Sequence, residues 1–303
     1  MQEFIGTADR QIRLSSFLRT SLPHLPKKTI LESVRYHGCR VNGRIERFES
    51  YKLQPGDRVS LQIIEHSSPQ LLWEDEHLCI YNKPAKQTSE DLAHQLNVHL
   101  VHRLDRDTSG CILFAKHAKA SSLITQLFKN REIDKRYIAL VFGQPRQESG
   151  IITTYTAPCY RRIGAVLFGN TDQNSGKITI TKWEILTRYP KYTLLLCRPV
   201  TGRTHQIRLH MKTIGHPIVG DVDYGNQEQP KNVVRTLLHA ASLAFISPFS
   251  NEKIEVSSLT PSQDPYPFYA DFSLKPLKKP PINKVVLIQV VLEAKDSVSK
   301  RIV

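Results

Sequence analysis

The stretch VHRLDRDTSGCILFAK, residues 101–116, decides how the chain is read. It sets two carboxylates, Asp105 and Asp107, one residue apart and interleaves them with Arg103 and Arg106. A Thr-Ser-Gly turn follows, and then an apolar run that reads as a strand. The cluster is either a solvated group of charges on a loop or a carboxylate delivered to a site by the strand behind it. Downstream, Ala120, Leu123, Ile124, Leu127 and Phe128 recur at helical spacing and predict a helix over 118–131. Strands are expected at 135–143, 151–156, 177–186 and 192–199. Upstream, LLWEDEHLCIYNKP (71–84) reads as a strand, an acidic turn and a second strand. Strands and helices do not alternate steadily around Gly-rich loops, which excludes a Rossmann or P-loop reading. The expected class is α+β, with a mixed, mostly antiparallel sheet.

The 303-residue chain carries a formal net charge of +14. An excess of that size points to a polyanionic partner, most often nucleic acid. MQEFIGTADRQIR lacks the apolar core of a secretory signal, and VVLIQVVL (285–292) is too short to span a bilayer. No membrane partner is therefore expected, and the expected location is cytoplasmic. The five cysteines are scattered without a CxxC pair, so neither zinc nor a disulfide framework is indicated. Cys79, Cys111 and Cys197 lie in apolar runs and read as buried small hydrophobes.

Three segments are expected along the chain: a small module over 1–66, a main domain over 67–274 and a basic extension over 275–303. In the first, Leu14, Phe17 and Leu18 mark one helix and Ile30, Leu31 and Val34 a second over 27–37. Short strands follow, with turns at Asn42-Gly43 and at 55–57. Basic residues outnumber acidic ones 11 to 7 across 1–66. This order resembles the S-four type of RNA-binding module, although Ser15 and the pair Lys27-Lys28 depart from its usual pattern. Lys27, Lys28 and Arg35 fall on a helix face suited to tracking phosphates.

A third polar-rich segment, TGRTHQIRLHMKTIGHPIVGDVDYG (201–225), predicts a helix capped by Thr204 and ended by Gly215. Ile207, Met211 and Ile214 form its apolar stripe, and His205, Arg208 and Lys212 line the other face. Read alone, this is equally an ordinary solvated basic face and a rigid mount for a guanidinium.

Taken together, these segments resemble the large-subunit type of RNA pseudouridine synthase, the RluA family. The family's H-R-L-D-x-x-T-S-G is intact from His102 to Gly110, and its K-x-Y-x-A-x-V-x-G runs from Lys135 to Gly143. T-G-R-T-H-Q-I-R-x-H with G-H-P-I-x-G-D and Y-G spans Thr201 to Gly225, and L-H-A-x-x-L-x-F-x-x-P matches Leu238 to Pro248. The resemblance implies an isomerase that converts uridine in RNA to pseudouridine with no cofactor and no metal. It maps the essential aspartate to Asp105, the active-site tyrosine to Tyr137 and the arginine paired with the aspartate to Arg208. A reacting carboxylate must be ionised; burial opposes that, and an adjacent guanidinium restores it. The reaction requires the base to be flipped out, and Arg103 is expected to fill the vacated stack. His102, Arg106, Arg203 and His205 are further expected RNA contacts, Leu209 is expected beside the base, and Asp107 is expected to shape the turn. Lys83-Pro84-Ala85-Lys86 lacks the glycine of the family's Lys-Pro-x-Gly.

The implied partner is structured RNA, ribosomal RNA or a pre-ribosomal particle ahead of transfer RNA, with the enzyme a monomer. Two rivals differ in kind. D-x-D-x-T at 105 with GDVD at 220–223 mimics a haloacid-dehalogenase-type phosphotransferase, but His102-Arg103 interrupt the strand that motif needs. A non-catalytic binder of ribosomal RNA would use the same fold without the chemistry.

Overall fold

A computed structural model of the protein describes residues 3–34, 39–63, 69–162, 165–225, 229–230, 233 and 235–258. Arg35, the side chain of Lys28 and the basic extension lie outside the described residues. The chain divides into two compact units, 1–67 and 68–303.

In the first unit, β1 (Glu3–Thr7), β6 (Arg58–Gln62), β3 (Cys39–Val41) and β4 (Arg44–Ile45) form an antiparallel sheet in that spatial order. β2 (Ile12–Arg13) and β5 (Lys52–Leu53) make a separate pair. Asn42 and Gly43 both take positive φ, the geometry of a two-residue hairpin, so the turn expected there forms between β3 and β4. Helices α1 (Leu14–Ser21) and α2 (Lys27–Ser33) pack Leu14, Leu18 and Ile30 against Val59 and Leu61.

The second unit is built on an eleven-stranded sheet. Its strands are β7 (Gln70–Glu74), β8 (Leu78–Lys83), β9 (His99–Leu100), β10 (Ser109–Ala115), β11 (Asp134–Phe142), β12 (Ser149–Arg162), β13 (Ala165–Thr171), β14 (Lys177–Arg188), β15 (Tyr192–Pro199), β16 (Leu238–Ile246) and β17 (Lys253–Ser257). The main path runs β13-β12-β14-β15-β11-β16-β10-β8-β7, with β17 on β16 and β9 on β10. Every described pairing is antiparallel except β10 with β16, so the mixed, mostly antiparallel expectation holds. β10 is buried from end to end, because β8 and β16 flank it and α4 (Ala118–Asn130) covers one face with Ala120 and Ile124. Cys79, Cys111 and Cys197 are buried as expected, and burial pushes each thiol up, Cys111 to about 12.

The parallel contact depends on Gly110. Its φ is +109°, and a Cβ there would run into the backbone of Ala240. Where the loop of Asp105 enters the sheet, only glycine lets β10 come this close to β16.

Two features went unread in the sequence. α3 (Ser89–Leu96) occupies a segment without an expected helix; the Thr88 side chain caps it by accepting from Asp91 N–H, and Asn97 closes it in the left-handed conformation. The strand expected at 151–156 runs on to Arg162 and returns as β13, making a long hairpin.

Candidate active site

Asp105 stands on the loop between β9 and β10, where Thr108 N–H closes a turn on the Asp105 carbonyl at 3.0 Å. Beside it is Arg208, on α5 (Gln206–Thr213), with Nη1 3.6 Å from Asp105 Oδ2. Its side chain is 7% exposed, so of the two readings the spacing left open, a solvated basic face and a rigid mount for a guanidinium, the second describes residue 208. Its surroundings are acidic. Asp221 accepts from Nε and Nη2, both at 2.8 Å, and Asp223 accepts from Nη2 at 2.8 Å. The ring of Tyr224 lies 5.0 Å from the guanidinium carbon. Burial opposes the charge on Arg208, but the hydrogen bonds and charge of Asp221, with Asp105 and Asp223, raise its pKa well above the ordinary arginine value. Arg208 therefore has one edge fastened to Asp221 and Asp223 and the other turned to Asp105. This arrangement also disposes of the phosphotransferase reading: the GDVD carboxylates it would need for magnesium both hold the arginine.

Asp105 opens onto a cavity of about 490 Å³, which Tyr137, Arg203, His205, Ile207 and Leu238 also line. That volume suits a small organic ligand or one nucleoside with its surroundings. Tyr137 pairs with Cys197 of β15 and stands at the register shift in the pairing of β11 with β16, directly after Arg136. Burial first, and then the charge of Asp105, push its phenol up, so it stays protonated through the neutral range. His205 takes the left-handed conformation at the start of α5, in place of Thr204 as the cap, and makes no side-chain capping bond. Its Nδ1 instead pairs with Tyr224 Oη at 2.9 Å, and Phe168 N–H donates to the same oxygen at 3.0 Å. Burial lowers the pKa of His205.

The remaining expected contacts separate. Arg103 reaches the rim, 61% exposed, and pairs with Glu90 at 3.1 Å. Arg203 is exposed on the cavity wall. His102 lines the cavity as well, and it also has a structural part. Its Nε2 accepts from Leu113 N–H at 2.9 Å and its ring stacks on Phe128 at 4.5 Å. Burial, with Lys135 nearby, pushes it down to about 3, so it is neutral and pins the Asp105 loop to β10. Arg106 turns inward beside Asp107, away from the cavity wall. Leu209 is buried outside the cavity lining, so Ile207 and Leu238 supply the apolar wall instead. Lys27 is exposed on the first unit.

Besides Asp221 and Asp223, the sequence reading missed Lys83. It is fully buried, and its ammonium donates to the carbonyls of Pro84, Gln87 and Arg106 at 2.9, 2.7 and 3.2 Å. Three carbonyls surround this nitrogen and tie the turn after β8 to the loop of Asp105, while burial pushes its pKa down to about 7. Lys86 occupies the place of the family's glycine, adopts φ +69° and reaches Asp107 at 3.3 Å. Burial opposes the Asp107 charge, but Lys86 and Arg106 outweigh it and hold the carboxyl down to about 2. Two lysines within four residues of a Lys-Pro step, facing an acidic loop, were the available signal.

Residues 67–213 match the protein family described as RNA pseudouridylate synthase. Ribosomal large subunit pseudouridine synthase C of Vibrio cholerae is 32% identical over 284 residues, covering 80% of this chain and 88% of the relative. The protein of that name in Escherichia coli K12 is 33% identical over 288 residues, covering 81% and 88%. Among solved structures, human RNA Pseudouridylate Synthase Domain Containing 1 superposes with a TM-score of 0.59 at 24% identity, covering 77% of this chain and 97% of that one. Human RNA Pseudouridylate Synthase Domain Containing 4 gives 0.52 at 20%, covering 73% and 92%. At those identities the two structures speak to the fold.

Proposed function

We propose, for a chain that belongs to the RNA pseudouridylate synthase family and is an RNA-modifying isomerase, that it converts specific uridines of ribosomal RNA to pseudouridine with Asp105 as the reacting carboxylate. The observation that carries this reading is the ion pair at 3.6 Å between Asp105 and an otherwise anchored Arg208, at the wall of a cavity shared with Tyr137. In this reaction the bond from uracil N1 to the ribose C1′ breaks, the base turns within the cavity, and C5 bonds to C1′. The proton lost from C5 is balanced by one gained at N1, so no oxidant, reductant or energy source is consumed. An ionised Asp105 attacks the nucleoside or takes a ribose proton. Tyr137, kept neutral, offers an aromatic face and a hydroxyl to the base. The target base is flipped into the cavity, and Arg103, exposed at its rim, fills the gap.

Ribosomal RNA is favoured over transfer RNA by the relatives named for the large ribosomal subunit. The basic first unit supports the same choice: its helices and Asn-Gly hairpin suit an S-four-like module docking on structured RNA by shape and phosphate. The enzyme acts as a monomer in the cytoplasm. Among the described residues no helix is long and apolar enough to cross a membrane. The test is a pseudouridine map of total RNA from cells with the gene, without it and with Asp105→Asn. Sites lost from ribosomal RNA in both altered strains support the reading. Sites lost only from transfer RNA reassign the substrate, and an unchanged map leaves a non-catalytic binder.

A further inference from the structure

The cavity has a second group of residues that the isomerisation does not use. Phe128, Lys129 and Arg131, from the C-terminal turn of α4, and Lys135, from the start of β11, line it together with Asp105 and Tyr137. Lys129, Arg131, Lys135 and Arg203 make no ion pair with a carboxylate among the described residues. Four cations that lack a directly paired carboxylate among the described residues stand in one concave site, an arrangement that favours an anion. Lys135 is the innermost. Its Nζ lies 5.8 Å from the Phe128 ring centroid, and across the cleft stands Gly202, whose Cβ position would be 3.6 Å from that Nζ. Burial lowers the Lys135 pKa and Asp134 only partly opposes it, so a close anion would restore its full charge.

We infer that this part of the cavity is a subsite for a backbone phosphate of the RNA strand beside the target nucleoside, with Lys135, Lys129, Arg131 and Arg203 as its ligands. Lys135 and Tyr137 are two residues apart on one strand, about 7 Å. A phosphate at Lys135 therefore belongs to the strand whose base faces Tyr137. The inference rests on the function proposed above and adds the element that fixes the nucleotide's position. The phosphate grips the strand, so the base can leave and rejoin its sugar while the backbone stays in register.

The test compares the full chain with Lys129→Gln/Arg131→Gln, with Lys135→Gln, and with Lys119→Gln/Arg146→Gln, whose side chains are exposed and outside the cavity. The probe is deproteinised ribosomal RNA from cells lacking the gene. Binding is measured across a salt series and turnover by pseudouridine formation. In the cavity variants the slope of log K against log salt is expected to fall by about 0.7 for each contact removed. KM should rise on the order of tenfold, the size of one charge-assisted hydrogen bond, and by more than kcat falls. The exposed pair should keep the wild-type slope. An unaltered slope in the cavity variants, or an equal fall in the exposed pair, overturns the subsite while wild-type turnover still upholds the isomerase. Absence of pseudouridine with the wild-type chain overturns the functional reading and the subsite with it.

Discussion

At Arg208, neighbours rather than spacing decide what the residue does. Three carboxylates share one buried guanidinium, and two of them, Asp221 and Asp223, serve to aim it. Arg208→Lys keeps the charge but cannot fork between Asp221 and Asp105, so turnover should fall ~10–100-fold while the protein still folds. Arg208→Met strands Asp221 at 0% exposure without its cation, and should cost about 3–5 kcal/mol in chemical denaturation. If the Lys variant turned over like wild type, the forked geometry would have no catalytic weight. Asp105→Asn retains the shape of the side chain and should reduce turnover by at least ~100-fold, measured as pseudouridine formed per enzyme. His210 makes a prediction about stability. Its nitrogens pair with Thr181, Thr179 and Thr154 Oγ1 at 2.8, 2.9 and 3.1 Å, and burial pushes it down to about 4. An unfolded histidine binds its proton near pH 6.5, whereas the folded one resists to about 4, so the unfolded state holds more protons between those values. Stability is thus complete above pH ~6.5 and is lost as pH falls towards 4, with His102 adding in the same direction. Thermal melts from pH 7.5 to 4.5 should show the slope, and His210→Gln should flatten it.

At the scale of the element, the loop of Asp105 is held from three sides. Lys83 ties it to the turn after β8, His102 fastens it to Leu113, and Gly110 sets the strand behind it against β16. Gly110→Ala needs a positive φ and room that the Ala240 backbone occupies, so it should destabilise by about 1–3 kcal/mol. Activity should fall further than stability, because the displacement falls at the entry to the loop; equal losses of folded protein and turnover would refute this. The sequence was legible where one rule acted alone. β10, α4 and β15 came from apolar runs and helical periodicity, which local side chains settle. α3 was missed because only Leu92, Ala93 and the half-buried Leu96 mark its inner face, although Thr88 and Asp91 spelled its cap. The far half of β12 was missed because Pro158, Cys159 and Tyr160 break its alternation. The pairing of Arg208 with Asp221 was hidden because they stand thirteen positions apart and only the tertiary fold turns one onto the other. Asp105, Tyr137 and Arg208 were singled out through the family resemblance; spacing alone left Arg208 as readily a solvated cation.

At the scale of the whole molecule, the net charge of +14 is spread over two units. RNA binding should therefore be strongly salt-dependent. With roughly 6–10 phosphates engaged, affinity should drop on the order of 10³–10⁵-fold between 50 and 200 mM salt in a filter-binding titration. A shallow dependence would mean that the basic surface serves solubility instead. The fastening of Arg208 has one more outcome, which concerns the full turnover cycle. If Asp105 reacts as proposed, then when it gives up its negative charge, by bonding to the nucleoside or by taking a proton, the cation beside it still has Asp221 and Asp223 for company. On that proposal the guanidinium is never left as a lone charge in the interior, and its anchorage can stay as it is between one uridine and the next.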